Sequence, residues 1–169
     1  MWVRASFLTV NLTTVAVLLL LVGCGSATET VPIPRESAAE GLRSRLESAG
    51  LNTYWLAASQ RSDFFDSAVR RTLRVGGTDG SLINLYRFRE AGQAADAASH
   101  VSANGLQLPA GGGIANVSWT GRPHFFRQGR LIALFCESGG AQSSTSRDRT
   151  ILAALREVMG RQFAGLPRE

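Results

Sequence analysis

The chain is 169 residues long, 44% hydrophobic and 18% charged, a balance that fits one globular domain and excludes a charge-swollen disordered chain. All 18 of its basic residues are Arg, as a GC-rich genome would favour, so a Schiff-base lysine and a phosphate loop ending in Gly-Lys are excluded outright. The net charge of +5 is spread along the chain and interleaved with acids, the pattern of a solubilising surface with a weak pull on anionic lipid or polymer.

Arg4 is the sole charge before Glu29, and Val15 to Val22 is apolar without a break. A membrane-spanning helix needs roughly 20 mostly apolar residues. This run is much shorter, and with its positive head it reads as a secretory signal. The run closes on Leu21-Val22-Gly23-Cys24. That motif resembles the lipobox of bacterial lipoproteins. The resemblance implies a diacylglycerol on the Cys24 thiol and cleavage just before it. The expected organisation is then a signal at 1–23, a lipidated tether at 24–35 and a globular domain at 36–169. An ordinary secretory signal, or an uncleaved anchor with a chance Cys, is the alternative.

One acyl chain holds a protein to a bilayer only marginally and two hold it stably, at about 0.8 kcal/mol per buried methylene. The tether "GSATETVPIPR" is small, polar and Pro-containing, and its 11 residues reach at most about 36 Å. The expected address is extracytoplasmic, on the inner or outer membrane or the cell surface, where nucleic acid is not an expected partner. Gly25 after the Cys permits an outer-membrane destination.

The elements follow in chain order. Ser37-Ala38-Ala39-Glu40 has the capping-box spacing, and Leu42, Leu46 and Ala49 continue at helical intervals to a Gly50 stop. "NTYWLAAS" reads as a short strand. Period-two alternation from Val69 to Val75 and from Leu82 to Phe88, on either side of "TDGS", makes a hairpin with Asp79-Gly80 as the turn pair. Ala91, Ala94, Ala95, Ala98 and Val101 line one face of a second helix. "AGGGIA" reads as a flexible loop and "NVSW" as a strand. "HFFRQGRLIALFCE" is a second hairpin turning at Arg127 to Arg130, and Thr145 with Asp148 caps a third helix.

The hairpin-then-helix order thus occurs twice. It predicts an α+β fold, a mostly antiparallel sheet of about six strands with three helices on one face. Leu131, Ala133 and Phe135 then face one side of their strand while Ile132, Leu134 and Cys136 face the other. The surplus apolar face is expected to be a dimer interface, a ligand groove, or to be closed by curvature and the 59–68 loop.

With Cys24 lipidated, Cys136 is a lone cysteine in an apolar run, expected to be a small buried hydrophobe. "GRPHFF" is the densest cluster of functional side chains. Arg122 would clamp an anion and His124 would act as an acid, base or ligand, beside Phe125 and Phe126. The plainer reading makes Pro123 the start of an edge strand with His124 partly exposed beside it. The phrase, with "GRQFAG", resembles segments of small uncharacterised bacterial lipoproteins. That likeness covers the last 50 or so residues and implies no activity. Asp63 and Asp66 flank two Phe in "SDFFDS", either as a pair of carboxylates or as the ends of a loop that plugs the core. The usual calcium-loop spacing is missing, and neither His100 nor His124 has a second ligand at metal spacing, so no cofactor or metal is expected.

Together these features predict a lipid-anchored, extracytoplasmic binding or structural module. It would meet another envelope protein, a second copy of itself or a small apolar ligand. The rival is a small cell-envelope enzyme using His124 with a carboxylate such as Asp63 or Asp66.

Overall fold

The computed structural model describes residues 37–57, 63–137 and 145–165. Three helices and eight strands run in the order α1 (Ser37–Ser48), β1 (Thr53–Trp55), β2 (Val69–Val75), β3 (Ser81–Arg87), α2 (Ala91–Ser99), β4 (Gln107–Ala110), β5 (Gly113–Asn116), β6 (Arg122–Gln128), β7 (Leu131–Glu137), α3 (Ser146–Met159) and β8 (Gln162–Gly165). Six of the strands form one antiparallel sheet in the order β1-β2-β3-β7-β6-β8. β4 and β5 pair separately. The α+β class and the six-stranded antiparallel sheet are those the patterning predicts.

Caps fix where α3 starts and where α1 stops, while α2 starts without a side-chain cap. Thr145 Oγ1 accepts the Asp148 N–H at 3.1 Å, and the Asp148 carboxylate accepts the Thr145 N–H at 3.2 Å, closing a capping box on α3. At the end of α1 the Leu51 N–H reaches the Leu46 carbonyl and the Gly50 N–H reaches that of Glu47, with Gly50 at φ 79°. That pairing is a Schellman stop, and it needs a residue that tolerates left-handed backbone.

The hairpins join through β3 and β7, where Ile83 faces Phe135 and Leu85 faces Ala133. Alternation then sorts the side chains into two clusters. Leu73, Val75, Ile83, Leu85, Phe126, Leu131, Ala133 and Phe135 pack against α1 and α3. Tyr86, Phe125, Ile132 and Leu134 point the other way and pack with Phe65, Phe88, Leu108 and the Ala94 face of α2. The helices are therefore divided, two on one face and one on the other, where the sequence suggested all on one. The Ala-lined α2 is short and flat enough to lie on the strands beside bulky aromatic rings. Both clusters lie wholly within the compact unit Pro34–Glu169, so this unit carries a complete core.

Leu131, Ala133 and Phe135 are at most 2% exposed. Ile132 and Leu134 on the opposite face are at most 1% exposed, so both apolar faces of this strand are closed inside one chain and supply neither a dimer interface nor a ligand groove through these residues. The loop around Phe65 contributes to closing the face of Ile132 and Leu134. The expected turns also differ in detail. Val75 pairs with Ser81, and the Gly80 N–H closes on the Gly77 carbonyl, so Thr78 and Asp79, rather than Asp79 and Gly80, are the central residues of the β2–β3 turn. "AGGGIA" is a tight hairpin turn, with Gly111 and Gly112 at φ 59° and 76° between β4 and β5. "NVSW" adds only Asn116 to β5 and is otherwise irregular.

Candidate functional site

"GRPHFF" opens β6, which lies between β7 and β8 and is no edge. Pro123 is tolerated near its start because the β6–β8 ladder ends at the His124–Gly165 pair, so no partner strand waits there for its missing N–H. Gly165, at φ 104°, lies so close to the Pro123 carbonyl that a side chain there would collide with it. Alternation puts Arg122, His124 and Phe126 on the α1/α3 face and Phe125 on the α2 face. Phe125 and Phe126 are core residues, each 0% exposed. Arg122 is half-buried opposite Glu137 in the β6–β7 register.

His124 is 1% exposed, not the partly exposed residue the edge-strand reading expects. Its Nδ1–H donates to the Gln162 side-chain oxygen at 2.9 Å, and its ring stacks on Phe135 at 6.2 Å between centroids. Its Nε2 faces the Glu137 carboxylate at 3.5 Å, a close polar contact longer than a formed hydrogen bond. Glu137 is itself only 2% exposed. Burying a carboxylate this deeply costs several kcal/mol unless nearby groups compensate. Here an imidazole, an aromatic plane and an amide from three adjacent strands surround the pair. The arrangement ties β8 to β6 and β7, and it keeps the imidazole away from solvent.

Neither partner of His124 was legible as such in the sequence. Glu137 ends an apolar run, and only strand alternation with Phe135 would have placed it on the His124 face. Gln162 lies 38 residues further along, in a strand with no strong pattern of its own.

The two aspartates lie on the other side of the sheet and do different work. Asp63 pairs with Arg70 at 2.6 Å while remaining largely exposed. Asp66 accepts the backbone N–H groups of Gly111 and Gly112 at 3.0 and 2.8 Å, satisfying the donors that the tight β4–β5 turn leaves unpaired. Between them Phe65 plugs the core, edge-on to Tyr86 at 4.9 Å and Phe88 at 6.0 Å. The structure therefore does not bring His124 together with Asp63 or Asp66. It brings His124 together with Glu137 and Gln162.

Cys136 is half-buried, and burial pushes its thiol up to about 11, so it stays protonated at neutral pH. Burial likewise pushes the Tyr86 phenol up. Cys24 lies outside the described residues. An open hollow of about 710 Å³ runs along the free side of β8, with Arg156, Arg161, Gln162 and Phe163 in its wall. Gln162, in its wall, is the residue whose side chain accepts from His124. No family model matches the chain, and no curated protein or solved structure matches it.

Proposed function

We propose that the chain is a lipid-anchored, extracytoplasmic binding or structural module. The observation that carries this reading is Leu21-Val22-Gly23-Cys24, placed a short polar tether ahead of a unit that holds its own core. Two acyl chains on Cys24 suffice for a stable anchor. Among the described residues no helix is long and apolar enough to cross a membrane. The burial of His124 and Glu137, at 1% and 2%, weighs against the rival enzyme, because an acid or base must reach the proton it transfers. The partner, in this reading, is the membrane through the lipid, with a second envelope protein or a second copy of the chain as further company.

The test is intact mass and fractionation after expression in a bacterium, beside Cys24→Ala. Wild type is expected to lose the first 23 residues, gain the mass of a diacylglycerol and pellet with membranes. The variant is expected to do neither lipid step. A soluble wild type without added mass would overturn the reading.

A further inference from the structure

On the face that carries α2, the helix lies over β6 and β7, and the Phe65 ring packs on Tyr86 and Phe88 at the end of β3. The start of β3, with β1 and β2 beside it, forms a different surface at the margin of the same face. Tyr54 faces Arg74 across β1 and β2, and Arg74 faces Leu82 across β2 and β3. Side chains opposite one another in this way share a face, so the three form one row. Tyr54 is 49% exposed and Leu82 43%, two of the four large apolar side chains that stand out in solvent among the described residues. In the next row the Thr72 hydroxyl donates to the Asn84 side-chain oxygen at 2.8 Å, so those polar groups serve each other.

Arg74 is half-buried between Tyr54 and Leu82, and its Nε is buried with no hydrogen-bond partner. The Nε atoms of Arg70 and Arg87 are buried in the same way, and the setting sets Arg74 apart from them. The Arg70 head pairs with Asp63 at 2.6 Å. Arg87 stands between Val69, which is half-buried, and Leu131, which is 2% exposed. Arg74 forms no ion pair among the described residues and has an exposed apolar side chain on either side. Arg147, Arg149 and Arg156 are exposed on α3, where water solvates the head. β1, β2 and β3 contain no acid, and neither do 58–62 and 138–144, the segments outside the described residues that follow β1 and β7 in sequence. Asp79 is exposed in the β2–β3 turn and forms no ion pair with Arg74.

We propose that the row Tyr54–Arg74–Leu82 docks an acidic segment of a second protein, one that carries a carboxylate beside an apolar side chain. The proposal deepens the binding-module reading and rests on it. A carboxylate lying side-on accepts from the guanidinium Nε and a neighbouring nitrogen together, and so satisfies the buried donor that the fold leaves unpaired. Tyr54 and Leu82 then cover the contact from either side and keep water from it, as apolar neighbours do around the charged centre of an interface. Three strands about 4.8 Å apart put the two ends of the row about 10 Å from each other. A short extended segment of three or four residues spans that distance. β1 is only three residues long, so the partner is held by side chains rather than by strand pairing.

The test uses the unit 34–169, which has its complete core and no Cys24. The probe is a displayed library of random heptapeptides selected on this unit, and the enriched peptides are then synthesised and titrated by fluorescence anisotropy. Peptides with Asp or Glu next to Leu, Ile or Phe are expected to be enriched. Arg74→Gln is expected to weaken their binding at least about tenfold, the worth of one charge-assisted hydrogen bond. Leu82→Ser keeps the charge and is expected to weaken it about threefold, through lost apolar contact. Arg149→Gln removes the same charge from α3, on the other face of the sheet, and is expected to change it less than about twofold. Circular dichroism confirms that each variant is folded.

No enrichment, enriched peptides without an acid, or equal losses from Arg74→Gln and Arg149→Gln would overturn the proposal. So would a dimer in analytical ultracentrifugation that Arg74→Gln dissolves, because the row would then be occupied by a second copy of the chain. This probe carries no acyl chain, so its failure leaves the mass measurement on Cys24 untouched, and a failed lipidation leaves the peptide result standing by itself.

Discussion

The two faces of the sheet are closed by different means. On one, α1 and α3 lay aliphatic stripes on Leu73, Ile83, Leu85 and Ala133, and caps bound both helices. On the other, a nine-residue helix of mostly Ala covers part of the surface, and the rest is filled by rings from loops. Phe65 meets Tyr86 and Phe88, and Trp119 meets Phe64 and Phe125. The helical face is periodic and regular yet contains buried polar groups, the His124–Glu137–Gln162 cluster and the Ser81–Asp148 contact. The loop-covered face is irregular and nearly all apolar. Regular elements hold groups in place well enough to bury an imidazole beside a carboxyl group. Loops close a face by filling volume.

The largest test of that contrast is on the helical face. His124→Leu leaves the Glu137 carboxylate buried beside an apolar group and the Gln162 amide without its partner, and is expected to cost about 3–5 kcal/mol in denaturant unfolding. Adding Glu137→Leu is expected to restore more than half of that loss, since two well-packed apolar residues often replace a buried polar pair at little cost. If the double variant is as unstable as the single one, the cluster is not a self-contained pair and the contrast between the faces weakens.

The loop-covered face is tested at Phe65, a non-glycine residue at φ 61° and only 2% exposed. Its ring holds a backbone conformation that strains a side-chain-bearing residue by about 1–2 kcal/mol. Phe65→Ala is expected to cost about 3 kcal/mol, through the lost ring. Phe65→Gly loses the same ring but relieves the strain, so it is expected to be about 1 kcal/mol more stable than the Ala variant, the reverse of the usual order. Thermal melts of the pair decide it. The ordinary order, Ala above Gly, would mean the loop relaxes once the ring is gone.

The smallest effect concerns Cys136, at the margin of the same face. Its thiol, raised by burial from 9.0 to about 11, has about a hundredfold less thiolate at neutral pH than an ordinary cysteine. Iodoacetamide labelling of the folded unit 34–169 is expected to be slowed accordingly, to speed up as pH climbs towards 11, and to become rapid on unfolding. Fast labelling at neutral pH would show that the loop-covered face opens readily.

The same contrast governs what the sequence made legible. The α3 capping box, the Gly50 stop and both hairpins were readable because each is written within a few neighbouring residues. The sheet count followed from period-two runs. What lay hidden depends on contacts between distant segments. The α2 stripe shows that Ala94 is buried but not on which side of the sheet. β8 is four residues long, and half of them are Ala and Gly, so it carries no strand pattern. "AGGGIA" reads as a loop because three successive glycines can signal either slack chain or a tight turn, and the Asp66 carboxylate that marks it as a turn lies 45 and 46 residues away. His124 stood out as a chemical side chain for the very reason that it is placed in a costly position.

The edges of the six-stranded sheet are its two shortest strands, β1 with three residues and β8 with four. The outward N–H of Gly165 is already taken by the Ala103 carbonyl at 2.9 Å. Few backbone groups therefore remain for another chain to pair with. Sheets with long bare edges zip together when their copies are crowded. Wherever copies of this domain meet, edges this short give them little backbone to pair along.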